Sequence, residues 1–198
     1  MSATETEAVR SPFDEKLEKT ALGLGATHAS AIPVDLVETE ESFRALCEKN
    51  VCGNYGRSWT CPPRVGEIHE LMAELREFDR VLVFQTVSDL EDSYDFEGMM
   101  EAGERHNRLT DALRAEIRKE PFPKVLTLGA GGCRICPVCA MKTGEECRHP
   151  DRALASLEAY GVNVSKLAAA SGMKYINGQN TVTYFGAVFY VLPPETEA

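Results

Sequence analysis

The sequence has no long apolar run and little positive charge, and these absences exclude several classes of function. Its uninterrupted apolar stretches, such as Ala187–Leu192, are far shorter than the roughly 20 residues needed to cross a bilayer. Lysine and arginine total 21 against 31 acidic residues, so the net charge is -10. Nucleic acids and anionic membranes bind clustered basic side chains, and we therefore expect neither as a partner.

Common catalytic and nucleotide-binding motifs are missing as well. There is no Walker motif, no G-x-S-x-G and no H-E-x-x-H, and the Cx3Cx2C spacing of radical-SAM enzymes is absent. Gly129-x-Gly131 does not continue as a dinucleotide-binding pattern, because Arg134 stands where the third glycine belongs. Residues Met1–Arg10 lack the apolar core of a signal peptide, so we expect a cytoplasmic protein. The absence of these motifs leaves open whether the protein is an enzyme.

Cysteine is the residue that the sequence has in excess. Seven cysteines occupy two short windows, Cys47–Cys61 and Cys133–Cys147. An odd number, tight clustering and the expected cytoplasmic location argue against a disulfide framework. Reduced thiols gathered in this way are typical of metal sites.

The second window carries the more specific pattern. Its cysteines have CxxCxxC spacing and are followed, after seven intervening residues, by a fourth: Cys133, Cys136, Cys139 and Cys147. One tight loop can thereby place three thiolates on three corners of a cubane, which predicts a [4Fe–4S] cluster with Cys147 as the fourth ligand. Gly129–Gly132 lets backbone N–H groups approach the cluster. Arg134 and Arg148 are expected to bind beside it and offset its negative charge.

Structural zinc is the alternative for this window. Four thiolates satisfy a tetrahedral zinc ion, but zinc sites more often combine two separated CxxC pairs. His149 follows Cys147 by two positions and is expected to donate a hydrogen bond to a ligand rather than to bind metal itself.

The first window, Cys47-x4-Cys52-x8-Cys61, is less diagnostic. Its three thiolates can hold a second cluster with one iron open to substrate, or a second cluster completed by a ligand from elsewhere. Alternatively, Cys47 is a buried helix residue and only Cys52 and Cys61 are functional. With an open iron, Tyr55 and Trp59 would line a substrate pocket, with Tyr55 as proton donor and Arg57 as an anion clamp.

Hydrophobic periodicity predicts an α/β fold, a mixed β-sheet with flanking helices and two cysteine-rich metal-binding loops. We expect a disordered lead-in over residues 1–10, a single domain over residues 11–192 and a tail over residues 193–198. Helices are predicted at 11–22, 40–49, 67–78, 96–119, 153–159 and 165–171, and strands at 26–34, 80–87, 124–128 and 181–192, the last broken at Gly186. The long irregular segment Asn50–Gly66 needs something to hold it, and a metal would do so.

The two cysteine phrases resemble a known family. CGNYGRSWTCPP at Cys52–Pro63, and CRICPVC at Cys133–Cys139 leading to CRHP at Cys147–Pro150, are similar to the predicted metal-binding proteins of the DUF2284 family. SLEAYGV at Ser156–Val162 and the stretch Asn180–Phe185 extend the resemblance over about residues 26–192. It implies a bound iron–sulfur cluster and no particular reaction.

Three functions are therefore compatible with the sequence. The first is an iron–sulfur protein that exchanges electrons with a redox partner protein, which the acidic run Asp89–Glu104 could help to dock if that partner is basic. The second is an iron–sulfur enzyme that uses an open iron at Cys47, Cys52 and Cys61. The third is a zinc-stabilised binding module without redox activity. The sequence does not indicate an oligomeric state.

Overall fold

The structure, a computed structural model, describes residues 10–194. This part of the chain contains four strands and five α-helices. The elements, in chain order, are α1 (Pro12–Gly23), β1 (His28–Pro33), α2 (Ser42–Glu48), α3 (Ile68–Leu75), β2 (Arg80–Asp89), α4 (Phe96–Ile117), β3 (Val125–Leu128), α5 (Val164–Ala170) and β4 (Thr181–Tyr190). Residues 1–9 of the predicted lead-in and 195–198 of the predicted tail lie outside the described residues. None of the described helices has the length and apolar character that crossing a bilayer requires.

The strands form one sheet in the order β1-β2-β4-β3. The predicted α/β class, with helices flanking a sheet, is confirmed. Pairing between all neighbouring named strands is antiparallel, whereas we expected parallel and antiparallel pairs together. The reason is that β4 inserts between β2 and β3 and runs opposite to both.

Both faces of the sheet are buried. Along β2, Val81 and Val83 face a core that includes residues of α3 and α5, whereas Leu82 and Phe84 face a core that includes residues of α1 and α4. Successive strand residues point to opposite faces, so an unbroken apolar run suits a strand covered on both sides. This two-sided burial explains why the apolar run of β2 was recognisable in the sequence.

Strand β4 continues through Gly186, and the predicted break there is wrong. Gly186 lies opposite Phe84 on β2, and a Cβ atom at Gly186 would come within 2.3 Å of the Phe84 ring. The glycine therefore makes room for a neighbouring aromatic ring and does not interrupt the strand.

Replacement of Gly186 by alanine is expected to destabilise the protein by about 1–3 kcal/mol, because the Phe84 ring must leave its packed position. Thermal or urea unfolding measures the change. Gly23→Ala is the matched control, since its added Cβ meets nothing within 4 Å. Equal unfolding midpoints for the two variants would contradict this account of Gly186.

The helix predicted over residues 153–159 is also wrong. Only Glu158–Tyr160 turns, as a short 3-10 helix, and the residues before it run extended beside the end of β3. The Gly129 N–H donates to the Ala155 carbonyl (2.9 Å), and the Leu157 N–H donates to the Gly129 carbonyl (3.1 Å). These hydrogen bonds to a distant part of the chain override a local helical preference.

A buried histidine makes the stability of the fold depend on pH. His106 on α4 is 1% exposed, and its Nδ1 lies 3.0 Å from the Thr86 hydroxyl. Burial lowers the pKa of His106 from 6.5 to about 4. The unfolded chain therefore binds a proton on this residue at a higher pH than the folded chain does.

We expect the free energy of unfolding to fall by about 3 kcal/mol through His106 as the pH drops from 6.5 to about 4. Urea unfolding across this range measures the slope. His106→Gln should flatten it, whereas replacement of the exposed His69 by glutamine should leave it unchanged. An unaltered slope in the His106 variant would assign the pH dependence to other groups.

Candidate metal centre

The second cysteine window lies on an excursion that leaves the sheet after β3. The chain departs at Gly129 and returns at residues 155–157, which pair with Gly129. Arg114 on α4 and Arg118, directly after its end, hold the returning segment by donating to the Asp151 carbonyl (2.7 and 2.9 Å). The cysteines of this excursion, residues 130–155, are thereby fixed to the end of a strand and to the side of a long helix.

All four cysteines of this window line one small cavity of about 20 Å³: Cys133, Cys136, Cys139 and Cys147. Each is partly buried and free of disulfide bonds. Arg148 and His149 line the same cavity. The excursion thus gathers the residues of the CxxCxxCx7C pattern around one space, although their role as ligands stays a prediction.

Hydrogen-bond donors and positive charge surround two of these thiols. Partial burial opposes ionisation of Cys139, but the N–H groups of Met141 and Trp59, the Ser58 hydroxyl and the Arg148 charge outweigh it and lower the pKa of the thiol. The Arg148 guanidinium, which donates to the Val138 carbonyl (3.2 Å) and pairs with Glu145 (3.0 Å), also lies near Cys136. A thiolate is the form that binds metal, and this environment stabilises it.

The first cysteine window lines a separate and larger cavity of about 590 Å³, which contains Cys47, Cys52 and Cys61. Cys52 is exposed, and the other two are partly buried. Burial raises the pKa of both the Cys47 and Cys61 thiols, and the neighbouring cysteines raise it further. Cys47, at the end of α2, therefore lies with Cys52 and Cys61 instead of being buried apart from them.

The aromatic residues of the first window have different positions. Tyr55 lines the three-cysteine cavity, as predicted for a substrate pocket, whereas Trp59 is not among its lining residues. The Trp59 indole N–H donates to the Glu145 carbonyl of the excursion (3.0 Å). Arg57, expected as an anion clamp, is exposed and also does not line this cavity. Trp59 therefore joins the two cysteine loops.

Two glycines lie between the three-cysteine cavity and a neighbouring cavity. Gly131 and Gly132 line the three-cysteine cavity on one side and a cavity of about 450 Å³ on the other. A Cβ at Gly132 would come within 2.9 Å of the Asn54 side-chain amide, so glycine permits the close approach of the two loops. Arg134 lines the 450 Å³ cavity, beside Cys133, and not the four-cysteine cavity.

Among residues 10–194, no three Cys, His, Asp or Glu side chains already form a group that could hold a metal ion. The structure therefore brings the predicted ligands to two cavities without a preformed ligand set. Residues 30–190 match the model of a family described as predicted metal-binding protein, DUF2284. The chain belongs to the DUF2284 family. No curated protein and no solved structure matches it.

The family match covers both cysteine windows and supports metal binding without specifying the metal. In this DUF2284 chain the sequence analysis missed Ser58, which is 5% exposed. Its hydroxyl lies near the thiols of both Cys61 and Cys139, one from each window, and favours their ionised form. Its position between Arg57 and Trp59, inside the first cysteine phrase, is the only signal that could have indicated it.

Proposed function

We propose that this DUF2284 protein binds a [4Fe–4S] cluster through the second cysteine window and transfers electrons. The observation that carries the proposal is that all four cysteines of the CxxCxxCx7C pattern line one cavity together with Arg148. Thiolates are the protein ligands that iron–sulfur clusters use, and CxxCxxC spacing is found in ferredoxins. A bound cluster would supply one-electron redox chemistry at this place.

The chemistry of the surroundings suits an anionic group bound by thiolates. The N–H groups of Met141 and Trp59 and the Ser58 hydroxyl donate toward Cys139, and the Arg148 guanidinium interacts with Cys136. Hydrogen bonds to sulfur and nearby positive charge stabilise an anionic cluster and tune its potential. Arg134 lines the neighbouring 450 Å³ cavity beside Cys133 and adds positive charge on that side.

Electron transfer also needs a partner protein, and a basic one suits an acidic segment of this chain. The segment Asp89–Glu104 carries seven acidic residues and no lysine or arginine. Its last part reaches the predicted site, because Met100 and Glu104 line the 450 Å³ cavity together with Cys133. Opposite charges steer such partners together. All seven cysteines are free, which is the state that the cytoplasm maintains, and we place the protein there.

A second candidate function is an iron–sulfur enzyme. It is favoured by one observation, that Cys47, Cys52 and Cys61 line the same cavity and that this cavity has about 590 Å³ of space. Three thiolates would leave one iron of a cluster without a protein ligand, so that it could act as a Lewis acid. Tyr55, in the cavity wall, could donate a proton to a molecule bound there.

Iron, sulfide and zinc content per chain, measured on anaerobically purified protein together with EPR of the reduced sample, tests these proposals. About four iron and four sulfide would support one cluster, and about eight of each would support a cluster at both windows. One zinc without sulfide, persisting after anaerobic reconstitution with iron and sulfide, would overturn the iron–sulfur proposal in favour of a zinc-stabilised binding module.

A further inference from the structure

The wall of the three-cysteine cavity is mainly apolar. Its volume of about 590 Å³ is within the range of pockets that bind small molecules, about 300–1,000 Å³. The apolar part of the wall comes from α2, α5 and loops of the chain and includes three aromatic rings: Phe43, Leu46, Val51, Tyr55, Pro62, Val162, Val164 and Tyr175. A space of this size and composition removes an apolar ligand from water.

Apolar side chains also surround the opening of this cavity. Val51 is 92% exposed, Leu46 is 56% exposed and Tyr175 is 49% exposed, and all three line the cavity. Large apolar residues that gather at one exposed place often mark a binding site. Tyr175 is held in position by stacking on Phe185, with ring centroids 5.9 Å apart.

The wall of this cavity is acidic. Among the described lining residues, Glu158 is the only carboxylate, and none is a lysine or an arginine. Arg44 acts on Cys47 through its charge but does not line the cavity, because its guanidinium donates to the carbonyls of Gly66 (3.0 Å) and Ala159 (3.4 Å). A buried anion would find no cation in this wall and would be repelled by Glu158.

The neighbouring 450 Å³ cavity makes the contrast clear. It shares Gly131 and Gly132 with the three-cysteine cavity, but its wall contains Arg108, Arg134 and Arg152. Glu104 and Asp111 also line it and pair with Arg108 and Arg152, so Arg134 is the arginine that an anionic ligand would contact first. Anionic molecules therefore have basic side chains on one side of the glycines and none on the other. The charge of a ligand decides which of the two cavities suits it.

We propose that the three-cysteine cavity binds a mainly apolar small molecule, with an aromatic or aliphatic body and no anionic group. The apolar body would contact the aromatic and aliphatic wall, and an uncharged or amine end would face Glu158. This names the ligand class of the candidate enzyme site, so any reaction rests on the proposed function, whereas the binding does not. The anion clamp expected from Arg57 has no place in it.

Three naphthalene derivatives of nearly equal size test the proposal: naphthylmethanol, which is neutral, naphthylmethylamine, which is cationic, and naphthoate, which is anionic. Isothermal titration calorimetry on the full chain, anaerobically purified, measures their dissociation constants. We expect the alcohol and the amine to bind about tenfold or more tightly than the carboxylate, because burial of an unpaired carboxylate is unfavourable. Equal or tighter binding of naphthoate would overturn the proposal.

Substitutions assign the binding to this cavity. Ser165→Trp, at an exposed lining position of α5, should fill the space and abolish binding of the alcohol, whereas Ala169→Trp, exposed on the same helix but not in the wall, should not. Glu158→Lys should shift the preference toward naphthoate, whereas Glu97→Lys, exposed on α4, should leave it unchanged. Unaltered alcohol binding in Ser165→Trp would place the ligand elsewhere and overturn the proposal.

Metal content of the same samples separates this inference from the proposed function. Protein that takes up no iron on anaerobic reconstitution and still binds the alcohol would refute the cluster and leave the ligand class supported. A protein with its full iron content that binds none of the three compounds would refute the ligand class alone.

Discussion

An anaerobically purified Cys136→Ser variant is expected to lose about four iron atoms per chain, together with the brown colour and the EPR signal of the reduced cluster. Cys136 lies in the wall of the four-cysteine cavity, near the Arg148 guanidinium. A serine hydroxyl stays protonated at neutral pH and cannot replace the thiolate. Iron and sulfide analysis, with EPR, measures the loss.

Cys52→Ser is the matched control for this prediction. Cys52 is exposed and lines the other cavity, so its replacement should leave the signal of the four-cysteine cluster unchanged. If both windows hold clusters, each variant should lose one of two distinguishable signals. Full retention of iron in Cys136→Ser would show that the second window does not hold the cluster.

Replacement of Asp14 by alanine is expected to cause the largest loss of stability, about 3–5 kcal/mol. Asp14 is fully buried on α1, where one carboxylate oxygen accepts from the Tyr190 hydroxyl (2.6 Å) and the carboxylate pairs with Arg80. Arg80 is itself only 6% exposed. Removal of the carboxylate leaves a buried guanidinium without its counterion, and the midpoint of urea unfolding measures the effect.

Glu15→Ala on the same helix is the comparison. Glu15 forms an exposed ion pair with Lys19, and exposed pairs contribute little to stability. The double variant Asp14→Leu/Arg80→Met should recover part of the stability lost in Asp14→Ala, because it removes both buried charges at once. If Asp14→Ala unfolds at the same urea concentration as Glu15→Ala, the buried pair is not a major source of stability.

The sequence predicted most regular elements because their signals are local. The helix predicted over residues 11–22 and the strand predicted over residues 80–87 are examples, and both are confirmed. The errors concern places where distant parts of the chain decide the structure. Residues 153–157 pair with Gly129, and Gly186 accommodates the Phe84 ring. Neither contact leaves a periodic pattern in its own segment.

Cysteine spacing grouped the thiols of the candidate site correctly, since each window lines its own cavity. Spacing within a window could not indicate how the two windows contact each other. The Trp59 indole N–H donates a hydrogen bond to the carbonyl of Glu145, 86 residues away in sequence. Ser58 lies near both Cys61 and Cys139. Such contacts depend on how two irregular loops pack, and irregular loops have no hydrophobic periodicity from which their packing could be predicted.

The hydrogen bonds at Gly129 have a consequence for the loop that carries the second cysteine window. Residues 130–155 leave and re-enter the body of the protein at positions that bond directly to each other, Gly129 with Ala155 and Leu157. This bridge is parallel, so the chain has to cross back before it can pair, and a tight turn cannot replace the excursion. The segment that carries Cys133–Cys147 is therefore a crossover connection, which the fold needs for its topology as well as for its thiols.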